Sequence, residues 1–144
     1  MAVAQILRQK GSTVYSVEPG DSLQKIVDVL AQHRIGAVLV MHGDGKLAGI
    51  VSERDVVRAM AGNAAGIATK KAADIMTAKV RTCAPNDTES GLMAVMTEHR
   101  TRHLPVESNG KIVGMISIGD VVKFRMEMME LEAEQMKSYI ATSG

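Results

Sequence analysis

The chain has 144 residues, 46% of them hydrophobic, so it is long enough for one domain with a substantial core. Its 17 Lys and Arg nearly balance its 16 Asp and Glu, which argues against a nucleic-acid partner. The longest apolar run, Ala37 to Met41, is too short to cross a bilayer, so we expect no membrane partner. The first ten residues lack the pattern of a secretory signal, and the single cysteine fits a reducing compartment. We therefore expect a cytoplasmic protein.

Apolar spacing and turn residues predict a short helix followed by the order β-α-β-β-α in the first half of the chain. Asp21 or Ser22 is expected to cap the second helix, and Gly36 to terminate it. The predicted elements are a helix at 2–9, a β segment at 14–17, a helix ending near Arg34, strands at 37–41 and 47–51, and a helix from Ser52 to about Met60. Residues 61–70 are small and glycine-bearing, and we predict a linker with little core of its own.

The second half predicts the same order again. Its elements are a short helix at 72–77, a β segment at 80–83, a helix at 88–100, strands at 103–107 and 111–116, and a helix from Ser117. In that last helix an apolar stripe is spaced 4-3-4-3-4, formed by Val122, Met126, Met129, Ala133, Met136 and Ile140. Two interpretations are open: the helix lies against its own subunit, or it makes a dimer contact.

The chain is an internal repeat. V-Y-S-V-E-P-G-D-S from Val14 recurs as V-R-T-C-A-P-N-D-T from Val80, an offset of 66 residues that becomes 65 from Gly45/Gly110 onward. The matching pairs include Pro19/Pro85, Asp21/Asp87, His33/His99, Gly49/Gly114, Ser52/Ser117 and Asp55/Asp120. Such units bury their apolar faces against each other. Two packed copies also form two related clefts, where ligands bind.

We therefore predict an α/β (α+β) fold of two repeats related by a pseudo-twofold axis, each β-α-β-β-α, with a C-terminal helical extension. The predicted boundary assigns residues 1–68, with the first helix and the linker, to one repeat. Residues 69–144 form the other, with the long last helix.

Four motifs carry a family resemblance: D-I-M-T at 74–77, H-R-T-R-H-L-P-V at 99–106, G-I-V-S-E-R-D at 49–55 and G-M-I-S-I-G-D at 114–120. The pair resembles tandem CBS (cystathionine β-synthase) domains, also called a Bateman module, over residues 1–125. The resemblance implies a non-catalytic regulatory protein that binds adenosine nucleotides or derivatives between its repeats, and it implies a homodimer.

The Ser-x-x-Asp of each signature has two roles open to it. Ser52 and Ser117 are placed to cap the helices that follow, with the acid reaching back. By resemblance, Asp55 and Asp120 would also hold a ribose, since a carboxylate can accept both hydroxyls of a cis-diol. The resemblance implies adenine against the first hairpin strand of each copy and the start of each repeat closing the pocket. The complete expected set is Ser16, Val17, Ile35, Gly36, Ala37, Val38, Ser52, Arg54, Asp55, Thr82, Cys83, Thr101, Arg102, His103, Leu104, Ser117, Gly119 and Asp120.

Mismatches between the copies predict two unequal sites. Copy one has small Gly36-Ala37 and basic Arg54, whereas copy two has bulky Arg102-His103 and Gly119. Either the second site is occluded, or Arg102 and His103 turn into the cleft and bind the phosphates of a neighbouring ligand. We favour the latter, because cations facing an apolar cleft would otherwise be costly.

The remaining motifs carry no chemistry of their own. The four histidines lack zinc-ligand spacing, so no metal is expected, and no nucleophile–base pair indicates a catalytic site. The resemblance thus implies an adenine-nucleotide sensor that signals through a conformational or assembly change, with AMP as the first ligand and ADP, ATP, NAD(H) or S-adenosylmethionine as others. The alternatives are a ligand-free interaction module and a regulatory subunit of a separate enzyme or transporter.

Overall fold

The secondary structure follows the predicted order. The computed structural model describes residues 2–62 and 64–143. The helices are α1 (Ala2–Lys10), α2 (Leu23–His33), α3 (Glu53–Gly62), α4 (Ala72–Ile75), α5 (Glu89–Glu98) and α6 (Ile118–Ser143). The strands are β1 (Ser16–Val17), β2 (Ala37–Met41), β3 (Leu47–Ser52), β4 (His103–Ser108) and β5 (Lys111–Ser117). The mixed α/β class and the long last helix are confirmed.

Local side-chain chemistry sets the helix ends. The Ser22 hydroxyl accepts a hydrogen bond from the Lys25 N–H at 3.1 Å, which makes Ser22 the cap of α2. The expected terminator, Gly36, is wrong: Arg34 itself adopts a left-handed conformation with φ of 53°, and the Ile35 N–H donates to the Leu30 carbonyl. Arg100 has nearly the same φ, 51°, and follows the His99 cap of α5, so in both copies a left-handed arginine comes just after this helix.

Two small sheets carry the repeats. β1 pairs in parallel with β2, and β2 pairs antiparallel with β3; β4 pairs antiparallel with β5. The strand predicted at 80–83 is reduced to a single bridge between Cys83 and Val106. In the first copy the Leu39 N–H donates to the Tyr15 carbonyl, but the counterpart of Leu39 is Pro105, which has no N–H. The second copy therefore lacks the hydrogen bond that extends β1.

The short helix that precedes each repeat in the sequence packs on the core of the other repeat. Val3 and Ile6 of α1 are buried in the second core with Leu104 and Ile116. Ala72 of α4 is buried in the first core. The backbone bonds match: the Val3 N–H donates to the Asp87 carbonyl, and the Ala72 N–H to the Asp21 carbonyl. The boundary at 68/69 stays a prediction, although α1 packs on the second repeat and α4 on the first.

The segment between the repeats has more structure than a linker. α3 runs on to Gly62, and a 3-10 helix covers Ala64–Thr69. Ile67 is partly buried and packs against the first core, whereas the predicted linker with little core of its own did not foresee this 3-10 helix. Asn63 of that expected linker lies outside the described residues.

Only the first part of α6 packs on its own subunit. Val121 and Phe124 are buried in the second core, but every residue from Met129 to Thr142 is exposed. The interpretation that the whole helix lies against its own subunit is therefore wrong for its distal half. Over the ranges 2–62 and 64–143, no helix combines the length and apolarity that crossing a membrane requires.

Candidate functional site

A cleft of about 850 Å³ opens between the two repeats. It is formed by the start of α3, the turn before β2, the segment after α4 and the turn before β4. The lining residues are Gly36, Ile50, Ser52, Glu53, Arg54, Asp55, Val57, Arg58, Thr77, Lys79, Val80, Arg81, His99, Arg100, Thr101, Arg102 and His103. The pseudosymmetry thus brings the signature of the first copy opposite the basic turn of the second.

The Ser-x-x-Asp signatures form reciprocal caps. The Ser52 N–H and hydroxyl donate to Asp55 Oδ2 at 2.9 and 3.0 Å, and the Asp55 N–H donates back to Ser52 Oγ at 3.4 Å. In the second copy the Ser117 N–H donates to Asp120 Oδ2 at 2.8 Å, and the Asp120 N–H to Ser117 Oγ at 3.2 Å. The capping role predicted for both serines is confirmed. It uses one oxygen of each carboxylate.

The cleft is strongly cationic. Six Lys and Arg side chains line it against two acids, Glu53 and Asp55. The six are Arg54, Arg58, Lys79, Arg81, Arg100 and Arg102. Within residues 2–62 and 64–143, none of the six forms an ion pair with the protein. Such a concentration of unpaired guanidinium and ammonium groups in a concave site attracts an anion.

The carboxylate of the second signature, Asp120, is already bound by a lysine of the same chain. Lys10, at the end of α1, donates from Nζ to Asp120 Oδ2 at 2.7 Å and to the Met115 carbonyl at 2.9 Å. Burial of Asp120 opposes its ionisation, but the hydrogen bonds from Lys10 and the Ser117 N–H prevail, so the pKa of Asp120 lies below its ordinary value. Asp55 has no such ammonium partner among the described residues. The two aspartates are therefore unequal, as the sequence mismatches suggested, although the cause is a lysine outside the mismatched positions.

His103 lies where the two signatures meet. A Cβ added at Gly36 would lie 3.0 Å from His103 Nε2, so a larger residue there would require this imidazole to shift by a few tenths of an ångström. Burial lowers the pKa of His103; the carboxylates of Glu53 and Asp120 act against that shift, and the charges of Lys10 and Arg102 add to it. The imidazole is thus neutral at neutral pH.

The structure brings some of the expected ligand residues together and separates others. Gly36, Ser52, Arg54, Asp55, Thr101, Arg102 and His103 line the cleft. The side chains of Val17, Ala37, Val38, Cys83 and Leu104 are buried in the cores, Ile35 packs beside the first core, and Ser16, Thr82 and Gly119 are exposed. Ser117 and Asp120 belong to the second signature, with Lys10. Burial raises the pKa of the Cys83 thiol to about 12, with a smaller contribution from Asp87, so this sulfur stays a protonated core group.

The sequence expectations missed part of the cationic lining. Arg81 falls in the segment expected to be a strand and Lys79 just before it, while Arg58 lies in α3 and Arg100 just past the end of α5. One signal was present: Arg81 stands where the first copy has Tyr15, a mismatch of the same kind as Arg54 against Gly119. Over the described ranges, no group of three or more His, Cys, Asp or Glu side chains is placed to hold a metal ion.

Comparison with known proteins gives a consistent result. The family model of the CBS domain matches residues 3–62 and again residues 72–127. The CBS domain-containing protein CBSX3, mitochondrial, of Arabidopsis thaliana is 31% identical over 96% of this chain and 71% of its own length. The crystal structure of the CBS-domain-containing protein ATU1752 from Agrobacterium tumefaciens is 45% identical, covers 87% of this chain and 95% of that one, and superposes with a TM-score of 0.84.

A more distant structure shares the fold and holds ligands. The CBS domain pair of protein MJ0100 is 22% identical, covers 89% of this chain and 98% of that one, and has a TM-score of 0.79. It was crystallised in complex with 5′-methylthioadenosine and S-adenosyl-L-methionine.

Proposed function

The chain belongs to the family of CBS-domain proteins, and from that premise we propose that it is a regulatory module that binds a phosphorylated adenosine compound between its repeats. The observation that carries the proposal is the cleft itself: Asp55 lines it together with six cations that have no acidic partner among the described residues. The module catalyses no reaction of its own in this proposal. It acts by changing its shape or assembly when the ligand binds.

Each part of such a ligand has a matching group. A ribose cis-diol would be accepted by the free oxygen of Asp55, because Oδ2 is used by the Ser52 cap. A phosphate would be held by the surrounding arginines and Lys79, with Arg groups well suited to bidentate contact. Adenine would lie on the uncharged wall that includes Gly36 and Ile50. That MJ0100, of the same fold, binds adenosine compounds supports the choice of base.

AMP is the first candidate, because one phosphate suffices to use the cations nearest Asp55. ADP, ATP and S-adenosylmethionine are further candidates. NAD(H) is supported by the space available: a second cavity of about 350 Å³ shares Arg54, Arg100, Thr101 and Arg102 with the main cleft. That continuity would give the second half of a dinucleotide a place to lie.

The test is thermal unfolding and calorimetry on protein freed of bound nucleotide. A ligand that binds only the folded state stabilises it, by about 2.7 kcal/mol when it is present at 100 times its dissociation constant. We expect AMP or a related adenosine phosphate to raise the melting temperature, and ribose 5-phosphate or GMP to do so much less. If millimolar adenosine compounds of every kind leave the melting temperature unchanged, the ligand-free interaction module replaces this proposal.

We further propose that the protein works as a homodimer. We also propose that it lies in the cytoplasm, because the reducing conditions there keep a free cysteine such as the buried Cys83 reduced. A regulatory role implies a separate protein whose activity the module controls. A mass spectrum of the small molecules and proteins that co-purify with it would identify both.

A further inference from the structure

One face of α6 presents an apolar stripe to solvent along most of the helix. Its members are Val122, Met126, Met129, Ala133, Met136 and Ile140, and the five large ones are exposed by 48%, 57%, 55%, 60% and 63%. The face that packs on the subunit is a different one, carrying Val121, Phe124 and Met128. A contiguous apolar face of this kind on a long helix marks an interaction surface.

We propose that this stripe packs against the same stripe of a second copy, in a parallel two-stranded coiled coil. The inference rests on the homodimer of the proposed function and names its surface and orientation. The 4-3-4-3-4 spacing places Met126, Ala133 and Ile140 at a positions, and Val122, Met129 and Met136 at d positions. Medium-sized, unbranched methionines fill such a seam adaptably.

The flanking charges select the orientation. Arg125 and Glu132 occupy g positions, and Glu130 and Lys137 occupy e positions. In a parallel pair each g residue faces the e residue five positions later on the other helix. Arg125 then faces Glu130 of the second copy, and Glu132 faces Lys137 of the second copy. Both contacts join opposite charges.

The antiparallel arrangement brings like charges together instead. With the two stripes fully overlapped, Lys123 would face Lys137 of the second copy, Glu130 would face Glu130, and Glu132 would face Glu132. Like charges at such positions are destabilising. The sequence of the flanks therefore favours parallel pairing.

The residues needed for these contacts are accessible. Glu132 and Lys137 are exposed, and within residues 2–62 and 64–143 neither forms an ion pair. Arg125 contacts Glu89 at 3.3 Å, yet its side chain remains 63% exposed. A guanidinium has five donors, so it can contact Glu89 and the second copy's Glu130 together.

Charge exchange tests the orientation, using the dimer dissociation constant of the full chain from sedimentation without ligand. Lys137→Glu should weaken the dimer by about 2- to 5-fold, since each dimer contains the contact twice. Glu132→Lys should do the same, and the double variant should recover the affinity of the wild type. Tighter association of Lys137→Glu, which would then face Lys123, would overturn the parallel arrangement.

A charge in the seam tests the surface itself. Met136→Asp should weaken the dimer roughly 100-fold or more, because two carboxylates would be buried without partners. Leu131→Asp is the matched control: Leu131 is 45% exposed on the same helix but off the stripe, and its change should leave the dimer intact. Circular dichroism and thermal unfolding verify that both variants are folded.

These outcomes distinguish the coiled coil from the homodimer on which it rests. If Met136→Asp remains as dimeric as the wild type, the homodimer stands and the coiled coil is wrong. A wild-type chain that is monomeric at all concentrations would overturn both. Adenosine binding is measured on the same preparations by calorimetry, so its failure or success is read independently.

Discussion

His103 of the second repeat lies beside Gly36 of the first repeat in the site. Its imidazole contacts the space beside Gly36 and lies between the carboxylates of Glu53 and Asp120 on one hand and the cations Lys10 and Arg102 on the other. Because burial outweighs the two carboxylates, the pKa of His103 is lowered in the folded state. The free energy of unfolding should therefore depend on pH through the protonation of this residue.

The sign of that dependence follows from proton linkage. Below the ordinary histidine pKa of 6.5, the unfolded chain binds a proton at this position that the folded chain does not. The stability that His103 contributes is thus present above pH 6.5 and is lost as the pH falls through the lowered pKa of the folded state. We expect the melting temperature to fall as the pH drops below 6.5, and to fall less in His103→Gln.

The matched control for this prediction is His42→Gln, in the exposed turn of the first hairpin. It should keep the wild-type pH dependence. An unchanged slope in His103→Gln would show that the buried imidazole is not the source.

Lys10 is the other residue whose role can be isolated. Its Nζ contacts Asp120 Oδ2 at 2.7 Å, whereas the equivalent Asp55 has no ammonium partner among the described residues. We expect Lys10→Met to free Asp120, so that calorimetry with adenosine detects a second, weaker site per chain. The loss of this partly exposed ion pair should cost about 1 kcal/mol or less of stability.

Arg8→Met, which removes an exposed charge from the same helix, should keep the single site. If the number of adenosine sites in Lys10→Met equals that of the wild type, the lysine is not what closes the second signature.

At the scale of elements, the short helices α1 and α4 occupy equivalent positions in the two halves of the molecule. Each contacts the glycine of the last strand of a repeat: Leu7 of α1 lies against Gly114 in β5, and Met76, just past α4, lies against Gly49 in β3. A Cβ at Gly49 would meet Met76 Sδ at 2.6 Å and the Thr77 carbonyl at 2.8 Å, whereas at Gly114 the near atoms belong only to the flexible Leu7 side chain. The first contact cannot relax without moving backbone.

We therefore expect Gly49→Ala to lower the free energy of unfolding by about 1–3 kcal/mol, and Gly114→Ala by less. Denaturant titration measures both. Gly43→Ala, in a turn where an added Cβ meets nothing within 4 Å, should change stability by no more than about 0.5 kcal/mol. Equal costs at Gly49 and Gly114 would contradict the distinction between backbone and side-chain contact.

Most of these elements could be predicted from the sequence, because helical spacing, caps and glycine turns are local signals. The 80–83 strand could not, since its shortening depends on the missing N–H of Pro105, a partner remote in sequence. The packing of α1 on the second repeat was equally hidden. Nothing near Val3 or Ile6 says which of two similar cores will bury them.

The same limit applies to the candidate site. The repeat alignment pointed to Asp55, Arg54 and the Arg102-His103 pair because these are local motifs or mismatches. Lys79 and Lys10 were missed because they become equivalent only in three dimensions. The N–H groups of Val3 and Ala72 bind equivalent carbonyls, and the two lysines lie seven residues further along.

At the scale of the whole molecule, a symmetric scaffold carries an asymmetric pair of sites. Glu53 and Ile118 open their helices in the same way, with N–H groups donating to the Gly36 and Arg102 carbonyls at 2.9 and 2.8 Å. The charges around them differ: one signature faces unpaired cations, and the other is closed by Lys10. We therefore expect one phosphorylated adenosine ligand per chain, bound at Asp55.

The most direct test is the affinity of AMP and 2′,3′-dideoxy-AMP for the wild type and for Asp55→Ala. We predict that the wild type prefers AMP by about 10- to 100-fold, because the carboxylate accepts hydrogen bonds from the diol. Asp55→Ala should bind AMP as weakly as the dideoxy analogue, and the preference should vanish. Equal loss of affinity for both ligands in Asp55→Ala would show that Asp55 only caps its helix, and would contradict the account.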